Sequence, residues 1–137
     1  MHATTTRRLE DFKVPVKLKL AGLWTSVMVC YLYNDYFNLY VPGTLKSMLD
    51  RPATQGMLLG YMAMTIGACL MPALSLLLKP APSRWLNIVL GLAYTAILIL
   101  LMPGTWLFYQ AMSVVEIVLQ LTAAWQAWRW PRADAAA

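Results

Sequence analysis

Glu116 is the residue that bears most directly on what this chain can do, because it lies inside a long apolar segment. That segment runs from Trp106 to Trp128 and is long enough to cross a lipid bilayer. A carboxylate at bilayer depth costs roughly 2.5 to 3.5 kcal/mol on insertion scales, so it commonly has a partner, a proton or a function. A carboxylic acid that exchanges its proton along a polar path would suit proton-coupled transport or a cation site.

Two stripes of polar side chains accompany Glu116. On its own helical face, at 100° per residue, lie Tyr109, Ser113 and Gln120. A second stripe, on the first apolar segment, consists of Tyr31, Asn34, Asp35 and Asn38. If the two segments are neighbours, we predict that the stripes line a pocket for a ligand or ion. This pocket would open to the exterior and close at mid-membrane.

Depth along the segments predicts which of these side chains meet. With a rise of 1.5 Å per residue, Asp35 lies roughly 7 Å and Glu116 roughly 16 Å from the outer end of its segment. The two carboxylates are therefore not expected to touch. The same measure pairs Glu116 with Tyr31, and Asp35 with Tyr109.

The sequence leaves two interpretations of Glu116 open. No basic residue lies within the spans to neutralise it, and burial favours the uncharged carboxylic acid. In one interpretation Glu116 exchanges a proton or binds a cation. In the other it is permanently protonated and donates to Tyr31, Tyr94 or a backbone carbonyl as a structural contact. Asp35 is explained more simply by head-group water, and Asn87 by a hydrogen bond between helices.

The elements that must position these residues are apolar helices. Hydrophobic residues make up 60% of the 137-residue chain and charged residues 12%, against about 25% charged in an ordinary soluble domain. We predict an all-α, four-transmembrane-helix bundle, with helices at about 18–40, 55–78, 85–102 and 106–128. Residues 17–130 would form one membrane domain between a flexible cytoplasmic lead, 1–16, and a cytoplasmic tail, 131–137. The third segment is the shortest, so a buried or re-entrant helix is its alternative.

Basic residues predict the orientation. Nine of the eleven lysines and arginines fall on one side of the predicted membrane: Arg7, Arg8, Lys13, Lys17, Lys19, Lys79, Arg84, Arg129 and Arg132. The positive-inside rule then places both termini in the cytoplasm. The net charge of +5 follows from this topology and from attraction to anionic lipid, so no nucleic-acid partner is needed to explain it.

The connections carry weaker signals. Pro-Gly pairs at 42–43 and 103–104 predict tight turns, which suggests either a duplicated hairpin or, more simply, convergent turn chemistry. Residues 45–49 have the spacing of a short surface helix but suit a plain loop equally. The proline-rich link at 79–83 predicts antiparallel neighbouring helices, with Ser83 available as an N-cap.

Small residues predict where helices approach closely. Gly56, Gly60, Ala63 and Gly67 share one face of the second segment, with the small-xxx-small spacing that favours helix contact. The contact is expected within the chain; a homodimer seam is the alternative. Pro72 is predicted to kink this helix.

Several chemistries have no residues to carry them. The one histidine is His2, and Cys30 and Cys69 form no Cys-x-x-Cys pair. There is no phosphate-binding glycine loop, no Ser/His/Asp set, and no lysine central in a span. We therefore predict no cofactor and no metal, and a membrane enzyme acting on lipid or quinone is the least supported class.

Motifs along most of the chain carry a family resemblance. They are Asp11 to Leu20, Leu23 to Ser26, Tyr31 to Tyr36, Leu78 to Pro80, Arg84 to Ile88 and Trp125 to Pro131. Together they resemble a family of small bacterial four-helix integral membrane proteins known only as a domain of unknown function. The resemblance implies an inner-membrane protein with four helices. It supplies no reaction, substrate or catalytic residue.

The leading functional hypothesis is an integral membrane protein, embedded in the lipid bilayer, that binds or translocates a small solute or cation. A homo-oligomer is expected, because four short helices enclose little more than their own side chains. The competing hypothesis is a structural or regulatory membrane module that acts through helix contacts.

Overall fold

The computed structural model describes residues 12–132, and within this range the chain is helical with no strand. Five helices follow one another: α1 (Val16–Asn38), α2 (Thr44–Asp50), α3 (Gln55–Leu77), α4 (Pro80–Leu101) and α5 (Leu107–Trp128). Most of the predicted lead and tail lies outside the described residues, although α1 already begins at Val16.

Three of the helices, α3, α4 and α5, are long and apolar enough to cross a membrane. α1 matches α3 in length at 23 residues but is less apolar, since it carries Lys17, Lys19 and Asp35. α4 has 22 residues, and its spanning length removes the reason for treating the third segment as a shortened helix.

The chain reverses at the two predicted Pro-Gly turns. Gly43 and Gly104 have φ angles of 86° and 80°, in the left-handed region that glycine adopts without steric cost. The seven-residue α2 follows the first turn, so residues 45–49 are helical, and its residues are half-exposed or exposed.

Different residues stabilise the two ends of α3 and the beginning of α4. Thr54 caps α3 by accepting a hydrogen bond from the Met57 amide, and Lys17 Nζ donates to the Leu78 carbonyl at the other end, 2.6 Å away. The prediction that Ser83 caps the next helix is wrong. α4 begins at Pro80, because proline suits the first helical position, and Ser83 is buried inside the first turn.

Helix α1 packs against α3 and α5, and α5 packs against α1 and α4, so these two helices each have two main neighbours in the bundle. α3 and α4 are joined by the predicted short link, but each packs mainly against another helix, α3 against α1 and α4 against α5. The core consists of Leu20, Trp24, Val27, Ala68, Met71, Ile88, Tyr94, Ala123 and Ala127. α1 and α5 are therefore neighbours, which is the arrangement that the two polar stripes require.

Close helix approach occurs at a different place from the one the sequence predicts. A Cβ built on Gly91 of α4 would lie 3.0 Å from the Gln120 carbonyl oxygen and 3.3 Å from the Ala124 Cβ of α5. Small side chains on both helices thus bring α4 and α5 together. On α3, by contrast, Gly56 and Gly60 are exposed, and a Cβ on either would meet nothing within 4 Å.

Ala63 is also exposed, whereas Gly67 is half-buried against α4. A Cβ on Gly67 would lie 2.5 Å from the Tyr94 hydroxyl oxygen. Packing within the chain therefore involves Gly67 alone of the four small residues.

Candidate functional site

The buried polar side chains form two groups at different depths in the bundle. One group, here called the asparagine cluster, comprises Asn87 with Trp24, Ser75 and Ser83. The other, the glutamate cluster, comprises Tyr31, Asn34, Thr95, Ser113, Glu116 and Gln120. Tyr94 lies between them, with its ring centroid 6.0 Å from that of Trp24 and 6.4 Å from that of Tyr31.

Asn87 binds three helices together in the asparagine cluster. Its Oδ1 accepts from Trp24 Nε1 at 2.7 Å and from Ser75 Oγ at 3.3 Å. Its Nδ2 donates to the Ser83 carbonyl oxygen at 2.8 Å, and all four side chains are fully buried. The predicted role of Asn87, a hydrogen bond between helices, agrees with this geometry. Every polar atom of the amide has a partner, as expected of a structural network.

The inner part of the glutamate cluster is also well bonded. Thr95 Oγ1 donates to Gln120 Oε1 at 3.0 Å, and Gln120 Nε2 donates to the Tyr31 hydroxyl at 2.5 Å. These bonds join α4, α5 and α1 at one level. Thr95 is absent from the sequence-based set, although its spacing of eight residues from Asn87 places it on the same face of α4.

The outer part of the cluster is different, because its polar atoms lack partners. Glu116 is fully buried, and its Oε1 accepts one long hydrogen bond, 3.5 Å, from Asn34 Nδ2. Glu116 Oε2, Asn34 Oδ1 and Ser113 Oγ are buried with no hydrogen-bond partner within the described residues. Three oxygen atoms are thus withdrawn from solvent without a hydrogen-bond partner in the described part of the protein.

The hydrogen bonds differ from the predicted pairings. Tyr31 bonds to Gln120 and Glu116 to Asn34, so the pairing of Glu116 with Tyr31 is not found. The reason is side-chain reach: helical rise gives the depth of a Cα atom, whereas a tyrosine hydroxyl extends well beyond its Cα, here to Gln120 on the turn of α5 after Glu116. Tyr94, a second predicted partner, donates instead to the Met64 carbonyl oxygen at 2.6 Å.

Asp35 lies outside the buried group. Its side chain is exposed, while Asn38 and Tyr109 are half-buried. Within residues 12–132, no hydrogen bond joins Asp35 to Tyr109. The predicted stripe on α1 therefore divides: Asn34 and Tyr31 bond to α5, and Asp35 is exposed.

Metal binding through the usual strong ligands has no support in the described part of the chain. No group of three or more His, Cys, Asp or Glu side chains occurs there, and Cys30 and Cys69 are both free. The unpartnered atoms near Glu116 are instead carboxylate, amide and hydroxyl oxygens. Such oxygens suit a proton or a hard cation better than a transition metal.

Three apolar helices long enough to span a bilayer indicate a small all-α membrane protein. The chain belongs to the family of unknown function DUF6326, which matches residues 9–137. This agrees with the family resemblance in the motifs and leaves the specific function unassigned. No curated protein and no solved structure matches the chain.

Proposed function

We propose that this protein binds a small cation or a proton at Glu116, as a carrier or receptor in the bacterial inner membrane. In this proposal α1, α3, α4 and α5 all cross the bilayer, and both termini are cytoplasmic. The length of α1 and its packing between α3 and α5 support the fourth span. The concentration of basic residues at one end supports the orientation.

The observation that carries the proposal is the unpartnered oxygen set around Glu116. A buried polar group without a hydrogen bond costs about 1 to 3 kcal/mol, and a charged one more. Glu116 Oε2, Asn34 Oδ1 and Ser113 Oγ are three such groups within one cluster. The asparagine cluster shows that this bundle can satisfy a buried amide completely. The unsatisfied set is therefore better explained by a ligand than by general packing.

The chemistry of these atoms selects the class of ligand. All three are oxygen atoms, and among residues 12–132 no lysine or arginine donates a hydrogen bond to them. A cation bound to Oε2 would stabilise the charged carboxylate, while a proton at the same atom would remove the charge and supply a hydrogen-bond donor. Alternation between the two states is the simplest way for this site to couple a cation to a proton.

Access to the site requires movement of α1 relative to α5. Glu116 and Ser113 are fully buried and Asn34 is 3% exposed, so the described conformation is closed. Asp35, Asn38 and Tyr109 lie nearer the ends of α1 and α5 that adjoin the two Pro-Gly turns. They would form the outer approach once these ends separate.

Replacing Glu116 with glutamine tests the proposal. In liposomes with an imposed sodium or proton gradient, the wild-type protein is expected to carry flux and Glu116→Gln to lose at least about 90% of it, because charge alternation is removed. The matched control is Asp50→Asn, which also neutralises a carboxylate but on the exposed helix α2, away from the proposed approach.

The control variant is expected to keep at least about half of the flux, because Asp50 belongs neither to the buried cluster nor to the approach to it. Circular dichroism in detergent checks that both variants remain helical. Flux through Glu116→Gln equal to wild type would overturn the assignment of Glu116 as the binding group.

The exposed small residues of α3 favour a second role, assembly with another copy. Gly56, Gly60 and Ala63 remain uncovered in the single chain, and small-xxx-small faces permit close helix contact in lipid. Gly60→Leu is expected to lower the protein mass measured by light scattering from that of an oligomer to that of a monomer. Ala73→Leu, exposed on α3 about 140° around the helix from Gly60, is the control. Equal masses for all three proteins would exclude this seam.

A further inference from the structure

We infer that the groove between α4 and α5 binds a phospholipid with an anionic head group. The groove lies outside both polar clusters and opens on the lipid-facing surface of two helices that are long and apolar enough to span. Its volume is about 620 Å³, and its lining is almost entirely apolar. The inference is independent of any role of Glu116.

The shape of the groove suits one acyl chain. Ile88 and Ala124 are buried at its floor, and Leu92, Val118 and Leu121 stand exposed along its walls. Helix α4 extends about 12 Å from Arg84 to Leu92, and α5 about 16 Å from Arg129 to Val118. One leaflet is about half of the 30 Å hydrocarbon layer, or about 15 Å. The groove is therefore as deep as one leaflet rather than the whole bilayer.

Two guanidinium groups stand at the end of the groove, against the indoles that line it. The Arg84 guanidinium carbon lies 5.8 Å from the ring centroid of Trp128, and that of Arg129 lies 5.4 Å from the ring centroid of Trp125. Both tryptophans belong to the groove lining. Stacking on an aromatic face holds a guanidinium in place while its N–H groups remain able to donate.

The Arg84 guanidinium has at least one N–H group without an acceptor among the described residues. Its Nη2 donates to the Trp128 carbonyl oxygen at 3.3 Å, but its Nε is buried without a partner among the described residues. The three carboxylates described, Asp35, Asp50 and Glu116, all lie on the other half of the bundle or within it. A phosphate at the groove mouth would accept from the guanidinium groups in the fork geometry that arginine favours.

The test compares lipids on the purified protein by native mass spectrometry. Phosphatidylglycerol is expected to bind more tightly than phosphatidylcholine by about 30-fold, because each basic residue near an anionic lipid contributes about fivefold. Arg84→Gln/Arg129→Gln should reduce this preference to about one. The matched control, Lys46→Gln/Arg51→Gln, removes two charges at the opposite end of the bundle and should leave it unchanged. Soluble glycerol phosphate should not bind, because it lacks the acyl chain whose burial in the groove contributes much of the affinity.

A second measurement locates the bound lipid in the wild-type protein, so it does not depend on the variants folding. Phosphatidylglycerol with a photoreactive group on its acyl chain is expected to label residues 88–92 and 118–125 in preference to the exposed face of α3. Equal labelling around all helices, or a lipid preference that survives loss of both arginines, would overturn the inference.

Discussion

Asn87→Leu is expected to lower the free energy of unfolding by about 2 to 3 kcal/mol. Leucine is close to asparagine in shape, so the loss reflects hydrogen bonds rather than a cavity. Trp24 Nε1 loses its acceptor, and Ser75 and Ser83 lose their shared partner. Individual side-chain hydrogen bonds in membrane proteins contribute about 0.6 kcal/mol on average and up to about 1.7, so three lost together give this range.

The measurement is unfolding by sodium dodecyl sulfate in mixed micelles, followed by far-ultraviolet circular dichroism. Asn38→Leu makes the same chemical change at a half-buried site at the end of α1 and is expected to shift stability by less than about 0.5 kcal/mol. Trp24→Phe removes one donor of the cluster, and its loss of unfolding free energy should lie between those of Asn87→Leu and Asn38→Leu. If the Asn87→Leu protein were as stable as the wild-type protein, the asparagine cluster would not be what holds the helices together.

Gly67→Ala is expected to destabilise the protein by about 1 to 3 kcal/mol, although alanine is the better helix former. The new Cβ would lie 2.5 Å from the Tyr94 hydroxyl oxygen, closer than any real contact. Tyr94 cannot withdraw freely, because its hydroxyl donates to the Met64 carbonyl oxygen and its ring packs against Trp24. Unfolding by sodium dodecyl sulfate, as for Asn87→Leu, measures the loss in the free energy of unfolding.

A second substitution separates this collision from other effects of alanine. Tyr94→Phe removes the hydroxyl, and the next nearest atom, the ring carbon Cζ, lies 3.6 Å from the new Cβ, an ordinary contact. Gly67→Ala/Tyr94→Phe is therefore expected to be about as stable as Tyr94→Phe alone. Gly22→Ala, where a Cβ meets nothing within 4 Å, is the control and should be neutral or stabilising by up to about 1 kcal/mol. Full additivity of the two losses would contradict the close fit of Gly67 and Tyr94.

The two polar clusters show why a count of intramembrane polar residues does not identify a site. Both are buried, and both join α1 to other helices of the bundle. In the asparagine cluster every atom of the Asn87 amide is satisfied, which favours rigidity over binding. In the glutamate cluster three oxygens are left over, which is the property expected of a site that takes a ligand.

Local features of the sequence were enough to predict the helices. The positions of α1, α3, α4 and α5, and the turns at Gly43 and Gly104, agree with the predicted segments within a few residues, apart from the earlier start of α4. Helices in lipid form from the length of apolar runs and from turn residues, both of which are visible in a short window. The start of α4 was misplaced because a serine and a proline both suit a helix N-terminus, and only the fold shows which is used.

Side-chain pairing was decided by the tertiary structure. Asn34 and Asp35 are adjacent in sequence and differ by only 100° of rotation, so the stripe on α1 predicted both as pocket residues. The rotation of α1 against α5 buries Asn34 beside Glu116 and leaves Asp35 exposed. The same packing decides that Tyr31 bonds to Gln120 and that Gly67, not Gly56 or Gly60, contacts another helix.

Glu116 could thus be recognised from the sequence as a buried acid, because the apolar run around it is a local property. Its single long bond to Asn34 and its unpartnered oxygen could not. They depend on how far α1 and α5 slide and rotate against each other. Contacts distant in sequence, such as Trp24 with Asn87 and Gly91 with Ala124, determine that arrangement.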